Sequence, residues 1–190
     1  MNKIITAIIA LSIVTTVTVA ESKIYASTAI AIELIDDSDT DMDVNLKAGV
    51  SLELKGGIFF DNNFGIEGKL TKTINSAKGS KTVFKKTLSI EADVSTLSLF
   101  GTYNYQITPN FSLVPKVGFT YTDIELNFEM DGDNLEDKED SNSNLSYGVE
   151  AQYSFTPTTN LYIGYTMYNL EFDNTSFDAS HISVGIQQSF

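Results

Sequence analysis

Val44-Asn45-Leu46-Lys47-Ala48-Gly49-Val50-Ser51-Leu52-Glu53-Leu54-Lys55 is the stretch that decides the fold. Every even position is apolar and every odd one is polar or glycine. In a strand successive side chains point to opposite faces, so the run has one oily and one polar face. Roughly ten such residues cross a bilayer as a tilted strand. Strands of soluble sandwiches also alternate, but seldom for so long.

The same two-residue rhythm recurs on both sides of this run. Residues 23–35 form a first strand, followed by an Asp-rich stretch from Asp36 to Asp43. Asp61-Asn62-Asn63 has the chemistry of a tight turn. Beyond it Phe64, Ile66, Gly68 and Leu70 alternate with Gly65, Glu67, Lys69 and Thr71. A fourth strand runs from about Thr87 to Gln106, with Leu97, Leu99, Gly101, Tyr103 and Tyr105 in register. Its upper part (Leu88, Ile90, Ala92, Val94) has the opposite parity, which predicts a bulge near Ser95. Val117, Phe119 and Tyr121 mark strand five. Leu145 to Phe155 marks strand six, Leu161 to Met167 strand seven, and Ile182 to Ile186 the last, which ends at Phe190. Pro115 cannot donate to a sheet ladder, so it belongs near the membrane rim or at a bulge.

Short connections at 61–63, 107–110 and 156–160 alternate with longer ones at about 36–43, 76–86, 129–144 and 173–180. Hydrocarbon offers backbone groups no partners, so only helices or closed barrels span it. No stretch of the chain beyond the leader approaches the roughly 20 apolar residues of a spanning helix. The expectation is all-β: an eight-stranded antiparallel up-and-down transmembrane barrel, short turns on the periplasmic side and long loops outside. Phe60, Phe64, Tyr105, Phe111, Tyr153, Phe155 and Phe190 flank the short turns and are expected as membrane-interface aromatics.

Residues 1–20 read as a cleaved signal peptide: Lys3, then an apolar run, then Thr18-Val19-Ala20. Residues 21–190 are then the barrel domain. The formal charge of the 190-residue chain is -13, with pI near 4.3. Losing Lys3 makes the mature chain more acidic still. Such a surface repels nucleic acid. With no cysteine there is no disulfide, thiolate nucleophile or lipoprotein anchor.

A family resemblance rests on three stretches. These are Gly57 to Gly65 (GIFFDNNFG), Ile107 to Tyr121 (ITPNFSLVPKVGFTY) and Ser183 to Phe190 (SVGIQQSF). Together they resemble the small OmpA/OmpX-like outer-membrane barrels, also called outer-membrane β-barrel domain or porin-family proteins. The resemblance implies the outer membrane of a Gram-negative-type bacterium, with lipid and lipopolysaccharide as surroundings. It also implies recognition of the C-terminal strand by the barrel-assembly machinery; Gln188 departs from the usual apolar residue at its position.

The inward parity holds Lys47, Glu53, Lys55, Glu67, Lys69, Lys116 and Glu150. An eight-stranded barrel is just wide enough for its side chains to fill, and charges removed from water must be paired. A salt-bridged polar network is expected there, in preference to an ion path. The loops are charged: Asp36, Asp37, Asp39, Asp41 and Asp43 in the first, and Glu129 to Asp140 in the third. Lys78, Lys81, Lys85 and Lys86 make the second basic, suited to lipopolysaccharide phosphates. Asp37-x-Asp39-x-Asp41 resembles the start of a calcium loop. Met42 and Ala48, however, stand where Gly and a bidentate Glu are required. No metal or other cofactor is therefore expected. His181 and Ser183, with Asp178 the nearest acid, could suggest a lipid A hydrolase; an ordinary rim histidine is the expected reading. The functional expectation is a non-enzymatic barrel supporting membrane integrity and surface presentation or adhesion, with a host or surface ligand as partner. A small porin is the alternative, and the hydrolase a remote one.

Overall fold

A computed structural model describes residues 22–36, 48–83, 86–130, 133–172 and 175–190. The proposed signal peptide, Lys47 and the loop-one aspartates beyond Asp36 lie outside these residues. The elements are β1 (Lys23–Asp36), β2 (Gly49–Phe59), β3 (Phe64–Asn75), β4 (Ala77–Val83) and β5 (Lys86–Tyr103). They continue with β6 (Tyr105–Thr108), β7 (Phe111–Met130), β8 (Asp133–Ser154), β9 (Thr159–Phe172) and β10 (Thr175–Ser189). Each pairs antiparallel with its neighbours, β1 pairs with β10 and β5 with β7, so the sheet closes on itself. β3 with β4, and β5 with β6, each form one interrupted strand. The barrel is therefore eight-stranded, as the alternation predicts.

The faces are inverted relative to a soluble barrel. In β2, Ser51, Glu53 and Lys55 are buried in the lumen, whereas Leu52 and Leu54 are 41% and 50% exposed on the outside. The exposed set continues round the wall through Ile66, Leu99, Val117, Phe119, Ile163 and Val184. A band of this kind is a cost in water and an asset in lipid. The turn between β2 and β3 follows its sequence. Asn63 N donates to Phe60 O at 2.9 Å, Phe64 N donates to Asn62 Oδ1 at 3.2 Å, and Asn63 takes φ 65°. Asparagine is among the few residues that tolerate this conformation.

The bulge expected near Ser95 is not in that strand. β5 runs in unbroken register with β7 from Leu88 to Thr102. The irregularity lies opposite, in the β3–β4 strand. Lys72 pairs with Ser95 and Ala77 with Ala92, so four residues, Thr73 to Ser76, face only two. Thr73 Oγ1 donates to Val94 O at 2.9 Å and accepts from Val94 N at 3.0 Å, filling the gap in the ladder. Ser76 Oγ donates to Asp93 Oδ1 at 2.6 Å. The parity of β5 never flips: Ala92 and Val94 turn inward with Thr96, Ser98 and Phe100. The lumen itself becomes apolar toward the outer end, where Val94, Ile124, Tyr168 and Ala179 cluster.

Pro115 lies not at a bulge but beside an opening in the ladder, with the register unchanged across it. The β5–β6 strand breaks at Asn104, beside the point where Pro115 would have to donate. The long connections differ from expectation. Residues 77–83 pair with 86–92, and 133–144 pair with 120–130, so the loops expected at 76–86 and 129–144 are hairpin arms continuing the wall. The last connection likewise narrows, since Thr175 already pairs with Phe172. Dense charge reads as loop in a sequence, but a ladder in water tolerates it because both of its faces are wet.

Thr73→Val is expected to remove both ladder contacts of the bulge and to lower stability by about 1–3 kcal/mol. Thr73→Ser should retain most of it. The urea midpoint of the folded, heat-shiftable gel band measures both.

Candidate functional site

Six charged side chains converge at mid-lumen: Lys55, Lys69 and Lys116, with Glu53, Glu67 and Glu150. Each is at most 4% exposed. They come from β2, β3, β7 and β8, all at inward positions. Lys55 Nζ donates to both oxygens of Glu150 at 2.6 Å and lies 3.6 Å from Glu67. Lys116 Nζ bonds Glu67 at 2.7 Å and also Glu150. Lys69 pairs with Glu53 at 3.5 Å and donates to Thr166 Oγ1 at 3.3 Å. Signs balance, three against three, so no formal charge is left over in the dry centre. Of the expected network, only Lys47 lies outside the described residues.

Neutral groups complete the lumen. Tyr25 donates to Glu67 at 2.8 Å and Tyr162 to Glu53 at 3.0 Å. Lys55 also stands 3.7 Å from the centre of the Tyr162 ring, a cation–π contact. Phe100 lies between Lys69 and Lys116, 5.6 and 5.5 Å from their ammonium nitrogens. Tyr25 crosses the lumen only because residue 57 is glycine: a Cβ there would meet the Tyr25 hydroxyl at 2.5 Å. Sequence parity could place these aromatics inside but could not pair them with particular carboxylates.

His181 lies on the inward parity near the outer end, buried at 2% exposure. Tyr168 donates to Glu33 Oε1 at 2.7 Å, and its hydroxyl lies 2.7 Å from His181 Nε2. With its one proton given to Glu33, Tyr168 accepts from Nε2–H of His181, and Nε2 itself lies 3.4 Å from Glu33 Oε1. No described hydrogen bond joins His181 to Ser183, and the described acid beside it is Glu33; the side chain of Asp178 lies outside the described residues. The set is a closed chain of donors under an apolar cluster, without the nucleophile–base contact that acyl transfer needs.

At the other end, a bowl of about 670 Å³ opens between the short turns. Phe60, Phe111 and Phe155, expected as interface aromatics, line it, while Phe64, Tyr105, Tyr153 and Phe190 stand exposed on the outside. Among the described residues no group of His, Asp and Glu is placed to hold a metal ion.

An oily exterior, a closed ladder and a charge-balanced polar interior define a transmembrane β-barrel. The chain matches the family of the outer membrane protein beta-barrel domain over residues 4–190, and it belongs to that family. Its place is the outer membrane of a Gram-negative-type bacterium. Solved structures agree on the fold. Ail, the attachment invasion locus protein of Yersinia pestis, is 18% identical, with 90% of this chain and 99% of that one covered and a TM-score of 0.60. The outer membrane protein OprG of Pseudomonas aeruginosa is 12% identical over 89% and 95%, also at 0.60. Neisserial surface protein A is 16% identical over 89% and 97%, at 0.54. No curated protein matches the chain by sequence.

Glu150→Gln strands two buried ammonium groups and is expected to cost about 3–5 kcal/mol. Lys55→Met with Glu150→Gln should cost less than the two single changes added, by roughly 0.5–3 kcal/mol. Urea titration followed by tyrosine fluorescence and the gel shift reads both; strict additivity would dissolve the network into independent pairs.

Proposed function

We propose that this is a non-enzymatic surface barrel that supports outer-membrane integrity and presents its charged arms to ligands outside the cell. The observation that carries the reading is the filled lumen. Lys55, Lys69, Lys116 and their carboxylates occupy the middle, Phe100 and Tyr162 fill between them, and Val94, Ile124 and Ala179 close over Tyr168. A channel would need a continuous wet path, and an enzyme an open cleft.

The arms are chemically distinct. Residues 129–144 are rich in acid. Residues 77–86 carry lysines, of which Lys78 holds Glu91 at 2.5 Å, and this hydrogen bond raises the Lys78 pKa. The basic arm suits lipopolysaccharide phosphates. That the similar barrel Ail is solved in complex with the heparin analogue sucrose octasulfate supports an outward-facing ligand role for this architecture. Residues 1–20 fit a cleaved signal peptide. The C-terminal strand, whose Phe190 N donates to Ile24 O at 2.9 Å, fits recognition by the barrel-assembly machinery.

Planar-bilayer recording tests the main reading. The wild-type barrel is expected to show no reproducible conductance. Steady openings that change with Glu53→Gln or Lys69→Gln would transfer the assignment to the porin alternative. Trypsin added to intact cells is expected to cut after Lys138, because the arm stands outside. Deleting Phe190 is expected to leave an exported but poorly inserted chain lacking the gel shift, with Phe190→Tyr tolerated.

A further inference from the structure

The bowl between the short turns has a volume of about 670 Å³, and the functions above make no use of it. Its chemistry is unusual for a barrel mouth. Charged lining is sparse: Lys23 and Asp61 are the only ionisable side chains. Carboxamides are numerous instead, and several stand on strands, where no turn requires them: Gln106, Gln152 and Gln187 among them, with Asn104 at the strand break.

Two of these amides hold unused hydrogen-bonding capacity. Gln187, 2% exposed, has its Oε1 engaged by Gln152 Nε2 at 3.4 Å, while its own NH₂ has no described protein partner. The carboxamide oxygen of Asn104 is buried and also unpartnered. The amide torsion of asparagine is broad, so this oxygen can turn to a donor in the bowl. Buried polar groups are normally satisfied. Leaving the buried Asn104 C=O short of a partner, beside a Gln187 NH₂ with no described protein partner, marks the cavity as suited to something that brings both a donor and an acceptor. Beside them stand the rings of Phe60, Phe111 and Phe155, flat surfaces on which an apolar sugar face can stack.

We propose that the bowl binds a short neutral oligosaccharide carrying acetamido groups. Its near-neutral lining disfavours ionic ligands, because no cluster of one sign faces the cavity. Amides bind an acetamide group in both directions, N–H to C=O and C=O to N–H, and hydroxyls complete the set. The volume falls within the roughly 300–1,000 Å³ of small-molecule sites. Opening on the side of the short turns, the bowl faces the periplasm, where the N-acetylglucosamine units of the cell-wall glycan are neutral sugars of this kind, at polymer ends or in released fragments.

The test uses the full-length barrel in detergent micelles with chitotetraose as probe, read by calorimetry and by amide NMR shifts. Saturable binding is expected, with shifts confined to the bowl residues. Gln187→Met keeps the side-chain volume and should weaken binding about tenfold, or ~1.4 kcal/mol. Gln106→Ala, at an exposed site, should weaken it less. Both variants must keep the wild-type gel shift, which separates lost recognition from lost folding. Co-sedimentation with purified sacculi, competed by chitotetraose, would identify the polymer as the source; binding of the oligomer alone would identify free fragments. No binding, equal binding of dextran (which lacks acetamides), or shifts at the Tyr168 end would each overturn the proposal.

Discussion

In hydrocarbon an unpaired backbone amide or carbonyl has nothing to bond with, and the rest of this structure follows from that constraint. Twelve residue pairs join β1 to β10, from Tyr25 with Ser189 to Asp36 with Asp178, so the sheet has no free edge within the membrane. Closure then dictates the composition of both faces. Lipid takes the even positions of β2 and the lumen the odd ones, and eight strands leave a lumen too narrow to stay a simple water column. Whatever points inward must find its partners there. Even the two interruptions obey the rule: Thr73 stands in for the missing ladder group at the bulge, and the break at Asn104 falls where Pro115 has no hydrogen to give.

The lumen solves its partner problem with ions and hydroxyls rather than with hydrocarbon. Desolvating six charges is expensive, and their mutual attraction roughly offsets the cost only when every charge is matched. Here Glu67 and Glu150 each face both Lys55 and Lys116, so the four act as one unit, with Lys69 and Glu53 beside them. Such an arrangement fixes register as much as it stabilises. A strand slipped by one residue would turn its charges into lipid.

Much of this was legible in the chain. Alternation alone placed Glu53, Lys55, Glu67, Lys69, Lys116 and Glu150 inside, because in a barrel the polar parity has nowhere else to go. It failed where both faces carry apolar residues. Ala92 and Val94 looked like lipid-facing residues out of step, when they are the inward lining of an apolar outer end, and the irregularity their parity suggested sits across the ladder at Thr73 to Ser76. No glycine or proline marks that bulge, so nothing local announces it. The partners of His181 are hidden in the sequence for a related reason. Glu33 and Tyr168 come from other strands, and only the closed register brings β1 beside β10. Charge density is the visible signal in the arms and points to loops, whereas their pairing depends on the opposite strand.

The β7–β8 ribbon carries a mechanical meaning. β7 has 20 residues, about twice what a tilted strand needs to cross the bilayer. At ~3.3 Å per residue, the surplus makes a hydrogen-bonded post roughly 30 Å long, continuous with the wall beneath it. A flexible loop of equal length would collapse toward the lipid surface; a paired ribbon holds its tip at a height. The acidic crown of this protein is thus mounted like a mast stepped in the hull, and its stiffness is inherited from the same ladder that seals the membrane below.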